Sequence, residues 1–557
     1  MPQFPIGSEA AGIQTRHVTA TSIQLTFLGH AGMRIDGEDL SMVMDCWLSD
    51  RGAFQGSWYQ FPSNSHLDQA RVLDVDFATL SHEHLDHMDA EVLTRLPSRT
   101  TLLVHRYPSP NLRNRLRRIG ARNVVELDAW EKFRLNERGD WVCFIPEQSP
   151  MCSDSAVLVH AGGASFLHCN DARLTVGQMR RAAIECGGEL DIVAVQMSGA
   201  SWHPICYEYL DSEKERISAE KRAGKFEAVG RLIKLASPKV AIPFAGPMCF
   251  LDPSLREHNR WLTEPNGIFP DQSQAAQYLA KKAPRVEVAT WMPGDKYDVL
   301  SGVHRPDPHW RDFSYGDISE YLHAYGSARE SQIAKTYNDH PAPGPELADQ
   351  FVEHFHRLGE ISPYFRERID MTVRFDVTGA VEGRWDVDIR PEGVSVDLGG
   401  GSRDCQYRFT LDSRWLAPVI KGDIGWEDLF LSLRFKAWRN PDIYNDYLVG
   451  LLKHAEPHAL DAIERYEVNR ASDERLVVQG ADGAYEISRY CPHAGEDLAI
   501  GGVVLEGNVL RCLGHNLEFD LKTGTCLNAR CNPLLTRRTL AHAEQDEARE
   551  QPHLVGF

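Results

Sequence analysis

Two short stretches of this 557-residue chain concentrate side chains that bind metals. Near the C-terminus, Cys491-Pro492-His493 is followed by Cys512-Leu513-Gly514-His515. A [2Fe–2S] cluster with thiolates on one iron and imidazoles on the other needs two Cys-and-His pairs on facing loops. The C-x-H and C-x-x-H pairs supply that set, and strand-like GGVVLEGNVL separates them as a hairpin would. A structural zinc site built from the same residues is the competing reading; the unequal spacing and Gly-containing loops favour the cluster. In the N-terminal third, Ser81-His82-Glu83-His84-Leu85-Asp86-His87 follows the strand-like run VDFATL. Crowding His82, His84, Asp86 and His87 onto one loop is costly unless a cation compensates them.

Each stretch resembles a known motif. The Cys/His pairs match a Rieske module. The residues after its ligands are Ala494, Gly495 and Leu513, so the extra disulfide of high-potential Rieske proteins cannot form, which points to the oxygenase or ferredoxin type. Cys526 and Cys531 read as structural or incidental. The H-x-H-x-D-H loop resembles that of metallo-β-lactamase-like domains, which implies that Asp171, in HCNDAR, brings a carboxylate to the metal from a second loop. That fold normally adds two further histidines, and here Ser149 and Asp252 stand at the corresponding places. His82, His84 and Asp171 form the two-imidazole, one-carboxylate set of non-haem Fe(II) oxygenases; a second arrangement uses Asp86, His87, Asp171 and Asp252. His30, in QLTFLGHAGMRI, is expected to face the same pocket, and Trp202 and His203, in GASWHPICY, to form a substrate wall.

The elements that must position these residues are legible in outline. Residues 22 to 105 read as short apolar or alternating strands ended by Gly, Asp or His. From about 110 to 300, strand-like SAVLVHA, ASFLHCND, DIVAVQM and KVAIPFAG alternate with helices. The clearest helix is the amphipathic DSEKERISAEKRAGKFEAVGRLIKLA. Pro-rich VHRPDPHW marks a boundary near 305. RFDVTGAV, RWDVDIRP and GVSVDLGG then suggest a small α+β domain of sterol-carrier-like pattern, and residues 466 to 557 are short strands and turns. The expected fold is multidomain α+β: a metallo-β-lactamase-like αββα sandwich (1–305), a sterol-carrier-like middle domain (306–465) and an all-β Rieske domain (466–557).

Composition is that of an ordinary globular protein, 42% apolar and 25% charged. The net charge of −19 disfavours a nucleic-acid partner and suits a small-molecule enzyme that docks a basic electron carrier. There is no apolar run of membrane-spanning length and no signal-like N-terminus, so a cytoplasmic location is expected. The scattered cysteines, Cys46 to Cys405, read as buried reduced thiols.

Together the motifs and the landmarks MVMDCWL, PFAG, RNPDIYNDYL and CLGHNLEFDLKTGTC resemble the CMP-N-acetylneuraminate hydroxylase family over nearly the whole chain. The resemblance implies cluster ligands Cys491, His493, Cys512 and His515, and mononuclear or dinuclear non-haem iron at His82, His84, Asp86, His87 and Asp171. It also implies O2 as oxidant, with electrons from NAD(P)H relayed by a reductase, a ferredoxin or a cytochrome b5-like donor. The chain departs from the vertebrate enzyme in carrying its Rieske module at the C-terminal end and in lacking the two histidines. The expectation is therefore an oxygenase of a small polar substrate, leaning to N-oxygenation of an amine towards hydroxylamine or nitro. The alternatives are C-hydroxylation of an N-acyl amino sugar or nucleotide sugar, and a metal-dependent hydrolase with a structural Rieske centre. A homo-oligomer is expected on general grounds.

Overall fold

The computed structural model describes residues 22–149, 151–198, 201–399, 404–469, 474–514 and 516–539. Two mixed sheets stack face to face in the N-terminal unit. From edge to edge, the first orders Val303–Arg305, Lys296–Asp298, Gln24–Gly29, Gly32–Gly37, Leu40–Met44, Phe77–Leu80, Thr101–His105 and Val124–Leu127. The second orders Glu287–Val288, Val240–Phe244, Ile192–Gln196, Ala164–His168, Ser155–Ala161, Trp141–Pro146 and Phe133–Arg134.

Period-two alternation sends neighbouring side chains to different layers. Val142 and Phe144 enter the core between the sheets with Phe27, Met33 and Ile242. Cys143 and Ile145 face the opposite way and pack beneath the helices Val176–Glu185, Asp211–Ala236 and Gln272–Lys282, with Phe226, Ile233 and Leu279. On the other side, Leu28, Val43 and Leu80 pack against Val92, Leu112 and Leu116 of the helices Ala90–Arg95 and Asn111–Arg118. The four layers are helix, sheet, sheet, helix, the αββα sandwich expected. The long amphipathic helix spans the residues read from the sequence, Asp211–Ala236, and stops where Ser237 turns left-handed (φ 44°).

Leu40–Met44 runs parallel to Phe77–Leu80, and Ala164–His168 parallel to Ile192–Gln196. Their carboxyl ends therefore point the same way within each sheet, the place where open α/β sheets collect functional loops.

The middle unit is a five-stranded sheet, ordered Gly393–Asp397, Gly383–Arg390, Met371–Thr378, Tyr407–Asp412, Phe435–Arg439, covered by helices. Its core is continuous with the first unit: Trp47, Phe54, Trp58 and Tyr207 join Trp415, Phe430 and Leu448 in one apolar cluster. The C-terminal unit has two three-stranded sheets and its own small core of Tyr485, Ile487, Leu510 and Phe519 around Cys491 and Cys512. Tyr444–Asn445 pairs in parallel with Ala529–Arg530, tying this unit to the middle one. All twelve cysteines are free thiols. No helix among the described residues is long and apolar enough to cross a membrane.

Candidate metal centre and cluster site

The metal-binding loop begins where Phe77–Leu80 ends. Asp45, at the end of the neighbouring strand and in a left-handed conformation (φ 42°), organises it. Its carboxylate accepts from Ser81 N (2.8 Å) and Ser81 Oγ (2.6 Å) and lies 3.1 Å from His87 Nδ1. Since the single Ser81 hydroxyl proton goes to Asp45, Ser81 Oγ must accept from His82 Nδ1, 2.8 Å away. Both His82 and His87 therefore carry a proton on Nδ1 and turn Nε2 inward, the orientation that outer carboxylates impose on metal-binding imidazoles.

Two groups of donors result: His82, His84 and Asp171, and His30, Asp86 and His87, with ligand atoms within 4.8 Å of one another in each. His30 Nε2 lies 2.9 Å from Asp86 Oδ2. Asp171 Oδ1 lies 3.4 Å from His87 Nε2, so this carboxylate faces both groups. Gln196, at the end of its own strand, donates to Asp171 Oδ1 at 2.5 Å, and the Lys225 ammonium donates to Gln196 Oε1.

The residues fit a metal. Asp86 Oδ1 and His87 Nε2 are buried without a hydrogen-bond partner, a costly state that a cation would relieve. His84 Nε2 lies 3.2 Å from Glu427 Oε2, and its Nδ1 lies 2.8 Å from His82 Nε2. If His84 donates to Glu427 and is neutral, two lone pairs oppose each other at that distance, and only a proton or a metal ion resolves the conflict.

Electrostatics follow the same geometry. Burial opposes charge on His84, but Glu427 outweighs it and pushes the imidazole up to about 9. Burial would raise Asp171, yet His87, His82 and His84 hold it well below the usual carboxylate range. Burial pushes Asp154 up to about 7. Burial and Arg173 bring Lys221 and Lys225 down to about 7.

Of the residues singled out in the sequence, His30, His82, His84, Asp86, His87 and Asp171 converge here. Asp252 requires a correction. Its carboxylate is 2.8 Å from Arg434 Nη2, accepts from Tyr337 Oη (3.0 Å) and Ser254 N (2.9 Å), and belongs to neither donor group. A fully engaged carboxylate beside a guanidinium has nothing left to offer a metal. Asp154, farther along the same connection as Ser149, lies 3.7 Å from His82 Nε2. Trp202 packs on Phe430 of the middle unit (5.3 Å). His203 lies 3.3 Å from both Lys221 Nζ and Arg439 Nη2, and burial and these cations hold it well below its usual value. Both residues thus sit at the junction of the first two units. Sequence reasoning missed Asp45, Asp154, Gln196 and Glu427; Asp45 lay in the landmark MVMDCWL and Gln196 in the strand-like DIVAVQM, and neither was singled out as a functional residue.

At the other site, Cys512 ends the strand Val509–Cys512. Cys491 heads a tight turn, closed by Gly495 N donating to Cys491 O (3.0 Å), with Gly495 at φ 73°. The two thiols are buried and hydrogen-bonded to each other. His493 Nε2 lies 3.5 Å from Asp446 Oδ2. His515 lies outside the described residues. Two converging thiols and a nearby imidazole, on two loops, are three of the four donors that a [2Fe–2S] cluster of this kind requires.

Comparison with known proteins agrees with this architecture. Residues 24–174 match the Beta-lactamase superfamily domain, 347–469 the Rv3818-like, SCP2-like domain, and 452–538 the Rieske [2Fe-2S] domain. A Rieske 2Fe-2S iron–sulfur protein of Mycolicibacterium smegmatis is 28% identical over 527 residues, 92% of this chain and 99% of the relative. One from Mycobacterium tuberculosis is 28% identical over 540 residues, 93% of this chain and 100% of the relative. The cytidine monophosphate-N-acetylneuraminic acid hydroxylase of Cricetulus griseus is 24% identical over 454 residues, 76% of this chain and 74% of that enzyme. The chain joins a Rieske domain to a β-lactamase-fold domain and is homologous to both kinds of relative.

Proposed function

We propose that this protein is an O2-dependent oxygenase in which the Rieske cluster feeds electrons to a non-haem iron centre. That centre would be held by His82, His84 and Asp171 together with His30, Asp86 and His87. The observation that carries the reading is the pair of imidazole–carboxylate groups facing one shared carboxylate, Asp171, in the same chain as a Rieske site. Iron bound there supplies O2 activation, and the cluster supplies electrons one at a time.

The chain's own residues do the rest. Asp45 fixes the His82 and His87 tautomers, Gln196 and Lys225 hold Asp171, and Glu427 holds His84. NAD(P)H, through a reductase, a ferredoxin or a cytochrome b5-like donor, is the proposed electron source. The substrate is a small polar molecule. Asp154, 3.7 Å from His82 Nε2, puts a further carboxylate beside the donors where the fold normally has an imidazole, and on those altered surroundings we take N-oxygenation of an amine as the leading chemistry. C-hydroxylation of an N-acyl sugar is the second reading, favoured by the hydroxylase relatives.

Metal analysis with single turnover tests the proposal. About four irons per chain are expected, two in the cluster and two in the first domain. Reduced protein should give product heavier by oxygen only when O2 is present, with amines and N-acyl sugars compared side by side. Zinc in the first domain with full turnover in the absence of O2 and reductant would replace the oxygenase with a hydrolase.

A further inference from the structure

The sterol-carrier-like domain holds neither set of metal donors, yet it touches both. Its helix Asp446–His454 begins at the cluster and ends at the metal centre. At the first turn, Asp446 Oδ2 lies 3.5 Å from His493 Nε2. At the last, Lys453 Nζ lies 2.7 Å from Glu427 Oε1, and Glu427 Oε2 lies 3.2 Å from His84 Nε2. Seven residue steps along the helix separate the two contacts, about 10 Å at 1.5 Å per residue. The helix core, Tyr447 to Leu452, is buried, and Asn445 caps it by accepting from Leu448 N (3.0 Å). It is a rigid connection between the two sites.

The remaining contacts hold the cluster domain in that pose. Arg231 Nη1 lies 3.7 Å from Glu496 Oε1. Gly224 and Gly495 mark close approaches: an added Cβ would lie 2.4 Å from Asn516 Nδ2 and 2.8 Å from Gln148 Oε1, respectively. Gln148 and Asp154 lie on one connection, so the segment beside the cluster turn also delivers the carboxylate beside His82.

We infer that the middle domain is the electron bridge of a single chain, with Asp446, Lys453 and Glu427 as positioning residues that couple His493 to His84. This inference rests on the oxygenase reading. With both groups bound, the step would take the mixed-valence cluster to diferric and one ferric ion of the other centre to ferrous. One electron moves, no bond forms or breaks, and the reductase or ferredoxin donor refills the cluster. A path of covalent bonds and close polar contacts carries an electron better than a gap of the same length, and here one runs from His493 through Asp446, Lys453 and Glu427 to His84 within one chain.

The experiment is rapid mixing of reduced, fully loaded protein with O2, following cluster reoxidation by absorbance, with His82→Ala setting the background of direct oxidation. The expected wild-type rate is above that background, first-order and independent of protein concentration. Asp446→Asn, Glu427→Gln and Lys453→Met should each slow it about tenfold, the effect of ~1.4 kcal/mol on a barrier, with unchanged cluster content and EPR signal. Lys453→Arg should restore most of the rate. Co-expressed, separately tagged Cys491→Ser and His82→Ala chains, purified together, should form no product. A rate that climbs with protein concentration, product from mixed chains, or variants at the wild-type rate would overturn the bridge. A wild-type rate no faster than His82→Ala would instead sink the oxygenase reading.

Discussion

Arg434→Met removes a buried guanidinium and leaves Asp252 behind. Both side chains are 2% exposed, and Arg434 also donates to Gln55 O at 3.2 Å, so one group links the middle domain to two segments of the first. Breaking a buried pair by deleting one partner costs about 3–5 kcal/mol, because an uncompensated charge remains. Tyr337 and Ser254 still donate to Asp252, and a methionine stem still packs on Trp415, over which the guanidinium lies at 4.0 Å. We therefore expect the lower end, about 3 kcal/mol. A chain of several units does not unfold in two states. The suitable measure is native-state hydrogen exchange of the peptides around 248–255 and 426–437.

pH sharpens the test. In the wild type burial opposes ionisation of Asp252, but Arg434 outweighs it and keeps the carboxyl below its ordinary value. The pair's contribution is therefore complete above about pH 4, the unfolded value, and is lost as pH falls through the lower folded value. In Arg434→Met only burial and neutral donors remain, so the penalty grows as pH rises through about 4. The gap between variant and wild type should narrow on acidification. Adding Asp252→Asn to Arg434→Met should recover much of the loss. Local stability within about 1 kcal/mol of wild type at pH 7, or no recovery in the double variant, would refute the argument.

Asp45→Ala deprives His87 and Ser81 of their shared acceptor, and metal retention by the first domain against a chelator should fall about 10- to 100-fold. Cys512→Ser should abolish the Rieske EPR signal of reduced protein while leaving the first domain's metal content unchanged. Gly524 has φ 76°, and an added Cβ would sit 1.9 Å from Leu534 O. Gly524→Ala should therefore destabilise the cluster domain by about 1–3 kcal/mol, seen as cluster loss at lower temperature.

The two motifs were legible because their donors lie close together in sequence: His82 to His87 on one loop, and Cys491 with His493 on another. The period-two and helical patterns also carried the layered fold. Donors contributed by distant segments were harder to place. Asp154 stands beside His82 because the Trp141–Pro146 and Ser155–Ala161 strands pair so that Glu147 N donates to Asp154 O. That register is invisible in sequence, where Ser149 is the residue of this connection that the family pattern points to. Asp252 looks like a metal ligand from its position in the sequence alone; its partner, Arg434, lies in another domain. Glu427 reaches His84 by the same kind of inter-domain contact, with no local pattern to announce it.

The continuous apolar core from Trp47 through Trp58 to Leu448 makes the first two domains one indivisible body. Cutting between them would bare a wall of tryptophan and phenylalanine, so neither half is expected to be soluble alone. The Rieske unit has its own core around Cys491 and Cys512, which the middle domain meets through Tyr444. It resembles a seated cartridge, held by a two-residue strand pairing and by polar contacts rather than by a shared wall of aromatic side chains.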